Sequence, residues 1–411
     1  MSIPVYPQLH AAAFNHPAID NHAHPLLAAA HRDALPFEGL ISEAEGDSLT
    51  QDAVHTLACF RATAELRPLF GLGESATWDD IKAARARVDY TELCKRCMEP
   101  TGIQCILIDD GLGGVKDLAQ DYKAHDQFTP SPTKRIVRVE IVAEVSIPRS
   151  ICSVRPHLGS DTLDVVPILD AFVEQLSASL KKSAVDPEVV GFKSIVCYRT
   201  GLDVSTISSP ASLKFSLLDM FKMYQDKGSI RLARKALNDQ VVRITLEIAG
   251  KHDKPVQFHT GLGDNDITLV LSSPSRLQPI IRAYPQTKMV LLHSSYPYTR
   301  EAGYLTAVYP NVYLDFGEVF PFVSGAGQRS IIRQVLELAP TNKIMWSTDG
   351  HWWPESYYLG TMQARQALYD VLKEVVDAQE ATESQAVGIV ENALFHTANK
   401  LYRLGLVIDT L

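Results

Sequence analysis

Basic runs, long apolar stretches and cysteines are all scarce in this sequence, and each shortage removes a class of protein. The 39 lysines and arginines are outnumbered by 48 acidic residues, giving a formal net charge of -9, and nowhere do they form a dense run. Phosphate backbones are held mainly by such runs, so a general nucleic-acid binder is excluded. No apolar stretch approaches the roughly 20 residues that cross a bilayer, and the N-terminus lacks a basic start followed by an apolar run. The chain therefore reads as cytoplasmic, with no membrane partner. Six cysteines in 411 residues do not make a disulfide framework. The closely spaced Cys94 and Cys97 have no second CxxC to complete a zinc site, and they lie in a charged, helical-looking stretch.

What is present is an enzyme-like composition, with 46% hydrophobic and 21% charged residues. From about residue 100 onward, short β-branched runs alternate with longer amphipathic segments, as in βαβ units over a parallel sheet. Strands are expected at 18–22, 105–109, 136–145, 190–198, 255–259, 289–293, 312–316 and 344–347. Helices are expected at 161–183, 230–251, 297–308, 329–338 and 355–376. Eight strands with intervening helices point to an α/β fold of the (β/α)8 TIM barrel type, although a doubly wound open sheet would give a similar string. The whole of 1–411 is read as one barrel domain, with 26–100 a mostly helical insertion after the first strand, since it is too long for a simple βα connection. Its better-defined helices are 54–66 and 78–87, and it serves as a lid, an oligomer surface or extra packing. The Thr-Pro-Ser-Pro-Thr sequence within 127–135 marks an exposed loop.

Chemistry collects at the strand ends. His22 and His24 follow the apolar start of the first strand at a spacing of two, so both can face one side and bind one metal. Three later strands end in His259, His293 and Asp349, each able to ligate a metal or move a proton. The C-terminal ends of parallel barrel strands open on one face, so these residues converge there. Lys193 stands at the end of the fourth strand, where it either binds a substrate anion or carries a carbamate that bridges two metals. Tyr198 and Arg199 follow and can hold a substrate carboxylate, for which the guanidinium is suited.

An HxH on strand one, a lysine on strand four, histidines on strands five and six and an aspartate on strand eight resemble the amidohydrolase superfamily, of the amidohydrolase 2 type. More narrowly, Gly191-Phe192-Lys193-Ser194-Ile195, His259-Thr260-Gly261-Leu262-Gly263-Asp264, Leu291-Leu292-His293-Ser294-Ser295-Tyr296-Pro297 and Ser347-Thr348-Asp349-Gly350 are similar to the amidohydrolase domain of nodulin/glutamine-synthetase-like proteins and FluG-type fungal developmental regulators. In that family a glutamine-synthetase-like domain follows, so this chain is expected to be a stand-alone member or a truncated piece. The segment from Glu391 through Tyr402 resembles the final helix of these barrels.

The resemblance implies metal ligands His22, His24, His259 and Asp349, with His293 either a ligand to a second ion or a group that polarises the substrate. One divalent ion, zinc, is the expectation, because the sequence identifies no further carboxylate for a second; two ions are the alternative, with Lys193 carbamylated. The implied activity is hydrolysis of an amide, γ-glutamyl amides among them, or a related C–N bond by metal-activated water. Asp349, His293 and Lys193 would be catalytic, and Arg199 and Tyr198 would bind substrate. The alternatives are a decarboxylase or isomerase on the same scaffold, and a non-catalytic developmental or signalling protein. The expected partners are a small carboxylate-bearing substrate and a second copy of the chain.

Overall fold

Runs of valine, isoleucine and leucine that are buried on both faces belong in a parallel sheet covered by helices. The computed structural model describes residues 5–154 and 165–408. Its strands are β1 Ala18–Ala23, β2 Ile103–Asp109, β3 Lys134–Arg138, β4 Val189–Ser194, β5 Val256–Phe258, β6 Met289–Leu291, β7 Val312–Asp315 and β8 Ile344–Met345. They pair in parallel in sequence order. Asn21 reaches across from β1 to the chain beyond β8, its side-chain amide donating to the Trp346 carbonyl at 2.6 Å. The result is a nearly closed TIM barrel.

Alternation along the strands divides the barrel interior into levels. Ile19, Cys105, Leu107, Ile136, Val290 and Met345 pack together inside, and Phe395, Ala398, Leu401 and Tyr402 from the C-terminal helices join them as a plug. Two residues beyond Leu107 and Ile136 on the same strand faces come Asp109 and Arg138. The interior thus passes from an apolar floor to a polar upper level within one step of the pleat. Outside the sheet, Phe172, Phe192, Phe258 and Phe316 pack in the layer between strands and helices.

Most expected strands end within one or two residues of the observed limit, but two stop well short. The run expected at 136–145 pairs only as far as Arg138, and a helix, Val139–Val154, takes over. Val139, Ala143 and Ile147 are all buried at a spacing of four, so one helical face meets the core despite the β-branched composition. The run expected at 190–198 ends at Ser194 and is followed by a short helix, Val196–Arg199. A helix at Pro210–Lys227 was not expected, although its signals are in the sequence: Ser209 caps it, proline opens it and Gly228 closes it at φ 68°. The helix expected from 161 is seen as Val165–Val185, its expected first residues lying outside those described.

Between β1 and β2 run several short helical turns and the helices Leu57–Leu66, Trp78–Arg87 and Tyr90–Met98. Phe37 stacks on Trp78, and both join a core that includes Trp353 and Leu359. The buried Arg85 guanidinium pairs with Glu355 at 2.7 Å. This segment is therefore anchored to the helix Pro354–Asp377, directly after the β8 exit.

That same helix carries Arg365, which is 1% exposed and donates to the carbonyls of Ala13, His16 and Thr101 at 2.8–2.9 Å. It ties the N-terminal helix Pro7–Asn15 and the entry to β2 to one anchor. Arg365→Ala strands three acceptors, so it should cost about 3–5 kcal/mol. Urea denaturation should show a lower midpoint at unchanged slope; a loss under about 1 kcal/mol would mean that water replaces the guanidinium.

Candidate metal centre

The strand ends bring His22, His24, Lys193, His293 and Asp349 together at the top of the barrel. His22 Nε2 stands 3.3 Å from Asp349 Oδ1, and His24 Nε2 stands 3.4 Å from the same oxygen. Asp349 Oδ1 is buried, yet it has no hydrogen-bond partner. Donor atoms bonded tetrahedrally to one ion at about 2.0–2.1 Å sit about 3.3–3.4 Å from one another. Each of the two distances therefore fits a ligand pair on a common divalent ion. The donors that cluster mutually are His22 and His24 with Asp109, and His22 and His293 with Asp349. Imidazoles with a carboxylate suit zinc or a similar metal.

The far side of each ring explains its direction. His22 Nδ1 faces Gln257 Oε1 at 2.9 Å, and His24 Nδ1 faces the Asp109 carbonyl at 2.8 Å. Both partners are acceptors, so Nδ1 carries the proton and Nε2 keeps its lone pair toward Asp349. The Gln257 amide is itself fixed, its nitrogen donating to the Asn21 carbonyl and to the Tyr402 hydroxyl at 2.8 and 2.7 Å.

Burial holds His22 and His293 in their neutral forms, well below the usual imidazole range. Lys193 is 1% exposed, with its amine 3.1 Å from His22 Nε2 and 3.4 Å from His293 Nε2. Burial lowers its pKa to about 8, against the opposing pull of Asp349 and Asp109. Backbone strain gathers at the same level. His293, Ser294 and Ser295 are left-handed in succession (φ 67°, 54° and 50°), as are Glu318 (60°) and Asp349 (52°). Non-glycine residues rarely adopt this region, and such strain clusters at functional sites.

His259 is placed differently from His22 and His24. Its Nε2 faces the Leu262 carbonyl at 2.7 Å and the Tyr198 hydroxyl at 3.0 Å, and its nearest group of metal-competent donors is His293 with Glu318. Tyr198 and Arg199 line the cleft above the site, and Arg199 Nε is buried without a partner. The cleft has a volume of about 710 Å³, and the segment before β2 supplies much of one wall through Pro36, Gly39, Glu43 and Leu49.

Several polar residues of this face went unnoticed in the sequence. Arg138 pairs with Asp109 through two contacts of 2.6–2.8 Å, and Glu43, Glu318 and His351 also line the cleft. Burial raises Glu43 to about 7. Asp109, Arg138 and Glu318 each lie at or just past the C-terminal end of a strand, the signal that picked out His259 and Asp349. Cys94 and Cys97, by contrast, are buried in the helix Tyr90–Met98, where burial pushes the Cys94 thiol up to about 12. Among the described residues they belong to none of the candidate donor groups.

Fold and sequence together define the class. The chain belongs to the amidohydrolase family, which it matches over residues 161–404. Within that class it is 43% identical over 404 residues to Protein fluG of Emericella nidulans, an alignment covering 95% of this chain and 46% of that protein. The chain thus spans about half the length of that relative. A solved structure from Lactobacillus casei, provisionally described as a metal-dependent hydrolase, is 26% identical with a TM-score of 0.79, covering 97% of this chain and 98% of its own. Uronate isomerase from Thermotoga maritima shares the fold at 12% identity and a TM-score of 0.62, over 97% of each chain. Among the described residues no helix is long and apolar enough to cross a membrane.

Because Gln257 aims His22, Gln257→Leu should weaken zinc binding by about 10–100-fold in a chelator competition. Unchanged affinity in a variant that remains folded would show that the ring is held by packing alone.

Proposed function

We propose that this chain is a metal-dependent hydrolase of a small, carboxylate-bearing amide or related C–N bond, with γ-glutamyl amides as the first class to try. The observation that carries this reading is the unpartnered Asp349 Oδ1, set between the Nε2 atoms of His22 and His24 at ligand spacing. His22, His24 and Asp349 hold the ion, with zinc the metal that suits them. What the bound ion supplies is Lewis acidity, enough to bring the pKa of water toward about 7.

The protein's own groups do the rest. Asp349 accepts the proton released from water and passes it to the leaving nitrogen, a role that its buried position beside His22 and His24 allows. His293 is neutral, and an N–H from its ring can hydrogen-bond the substrate carbonyl as negative charge develops on oxygen. Lys193, on the same face, adds a positive charge when protonated. Arg199 has an unused buried Nε, and with the Tyr198 hydroxyl it can hold a remote carboxylate and so fix the scissile bond over the site. The Pro36–Leu49 wall limits how much water shares the cleft.

Two measurements test this reading. Replacing His22 and His24 together by alanine should remove one ion per chain relative to the parent protein, by elemental analysis; an unchanged ion content would put the metal elsewhere. Asp349→Asn should lower turnover of any amide that the parent hydrolyses by about 10²–10⁴-fold. Near-normal rates would pass the proton transfer to another group. Turnover that releases carbon dioxide without consuming water would make the chain a decarboxylase instead.

A further inference from the structure

Most charged side chains in the cleft wall above the metal centre are already engaged within the protein. Arg138 is held by Asp109, and Arg231 by Asp266. Glu45 accepts from the Asn265 side-chain amide at 2.9 Å, and Asp264 accepts from the Asp266 backbone N–H at the same distance. Glu43 and Arg199 are different. Among the described residues Glu43 accepts no hydrogen bond and stands in no ion pair, although it lines the cleft. The side chains that act on it electrostatically are His351, Asp349 and Asp264, two of them carboxylates like itself. Arg199 keeps a buried, unpartnered Nε, and its guanidinium is 3.6 Å from Glu144, beyond hydrogen-bond reach.

Local packing fixes Glu43 in the wall. Leu40 and Ile41 are buried in the core that contains Phe37, Trp78 and Trp353, which pins the chain just before Glu43. At Gly39 the backbone lies against two indole rings: a Cβ there would come 3.1 Å from Trp353 Cη2 and 3.4 Å from Trp352 Cζ3. Ser42 Oγ accepts from the Ala44 N–H at 3.1 Å and closes a turn over Glu43. The protein thus holds a carboxylate in place while giving it no partner. A carboxylate kept from water without a cation costs free energy, which a cationic group on a ligand would offset.

We propose that Glu43 selects the substrate by binding its ammonium group, so that the substrate is an amide of an amino acid whose amine is free. With Arg199 holding the carboxylate, the ligand brings one charge of each sign to a cleft that lacks a partner for one of each. Amides in which the amine is acylated or missing bring a neutral group to Glu43 and leave its carboxylate unpaired, which is what makes the selection strong. The inference rests on the hydrolase reading in taking the ligand to be a carboxylate-bearing amide. Among the described residues Glu43 belongs to none of the candidate ion-binding groups, so the number of bound ions does not enter.

The test is calorimetric titration of the intact, zinc-loaded protein with L-glutamine and with glutaramate, the same amide with hydrogen in place of the ammonium. The parent should bind L-glutamine about 10–100-fold more tightly than glutaramate. Glu43→Gln should remove that preference, weakening L-glutamine by the same factor and leaving glutaramate unchanged. Glu45→Gln, a neighbouring change in the same wall, should alter neither affinity. Equal affinity of the parent for both amides would overturn the proposal, as would a preference that survives Glu43→Gln, loss of both ligands from that variant, or no binding of either amide to the parent. Ammonia release separates this outcome from the hydrolase reading. Glutaramate hydrolysed as readily as L-glutamine would keep the hydrolase and remove the role of Glu43, whereas selective binding of L-glutamine without ammonia release would keep that role and remove the hydrolysis.

Discussion

A buried neutral imidazole offers one lone pair, and the hydrogen bond at its other nitrogen decides which way that lone pair points. The top of this barrel depends on that constraint. Gln257 and the Asp109 carbonyl take the Nδ1 protons of His22 and His24, and both Nε2 atoms then face Asp349. The support extends downward as well as outward. Tyr402, part of the plug in the barrel floor, receives a hydrogen bond from the Gln257 amide, so the C-terminal helices help to set the angle of a ring on β1. Asn21 fixes the same strand from the other side by donating to Asp315 and to the Trp346 carbonyl. Folding of the floor and orientation of the site are thus one network.

The strand ends carry the second half of the design. Parallel strands release their chains at one rim, and left-handed backbone at His293, Glu318 and Asp349 turns those residues back over the barrel. Such turns are unfavourable for residues with side chains and need a surrounding structure that enforces them. Close packing supplies this: a Cβ on Gly261 would lie 2.4 Å from the Tyr296 carbonyl oxygen, so only glycine lets the β5 and β6 exits approach each other. His259 and His293 are brought together across that approach, with ring centroids 4.2 Å apart.

Much of this was legible in the sequence because barrel strands are local. An apolar run that ends in a histidine or aspartate can be read without knowing its partners, which is how His22, His24, His259, His293 and Asp349 were identified. Strand limits were less legible where β-branched residues also suit a buried helix, as at Val139, and there tertiary burial overrides local preference. Glu318 was hidden for a related reason: glutamate is common on surfaces, and only the fold shows this one buried beside His293. The cleft wall from Pro36 to Leu49 was hidden too, because which helical turns of a long connection reach the site depends on packing such as Phe37 on Trp78 and Arg85 on Glu355. The spacing of His259 in the chain likewise says nothing of the Leu262 carbonyl that its Nε2 faces.

The most direct test of the account is a crystal structure of zinc-loaded protein with an anomalous difference map at the zinc edge. The account predicts a peak bonded to His22 Nε2, His24 Nε2 and Asp349 Oδ1 at about 2.0–2.2 Å. A map with no peak among these three atoms, or with zinc held instead by the thiols of Cys94 and Cys97, would contradict it.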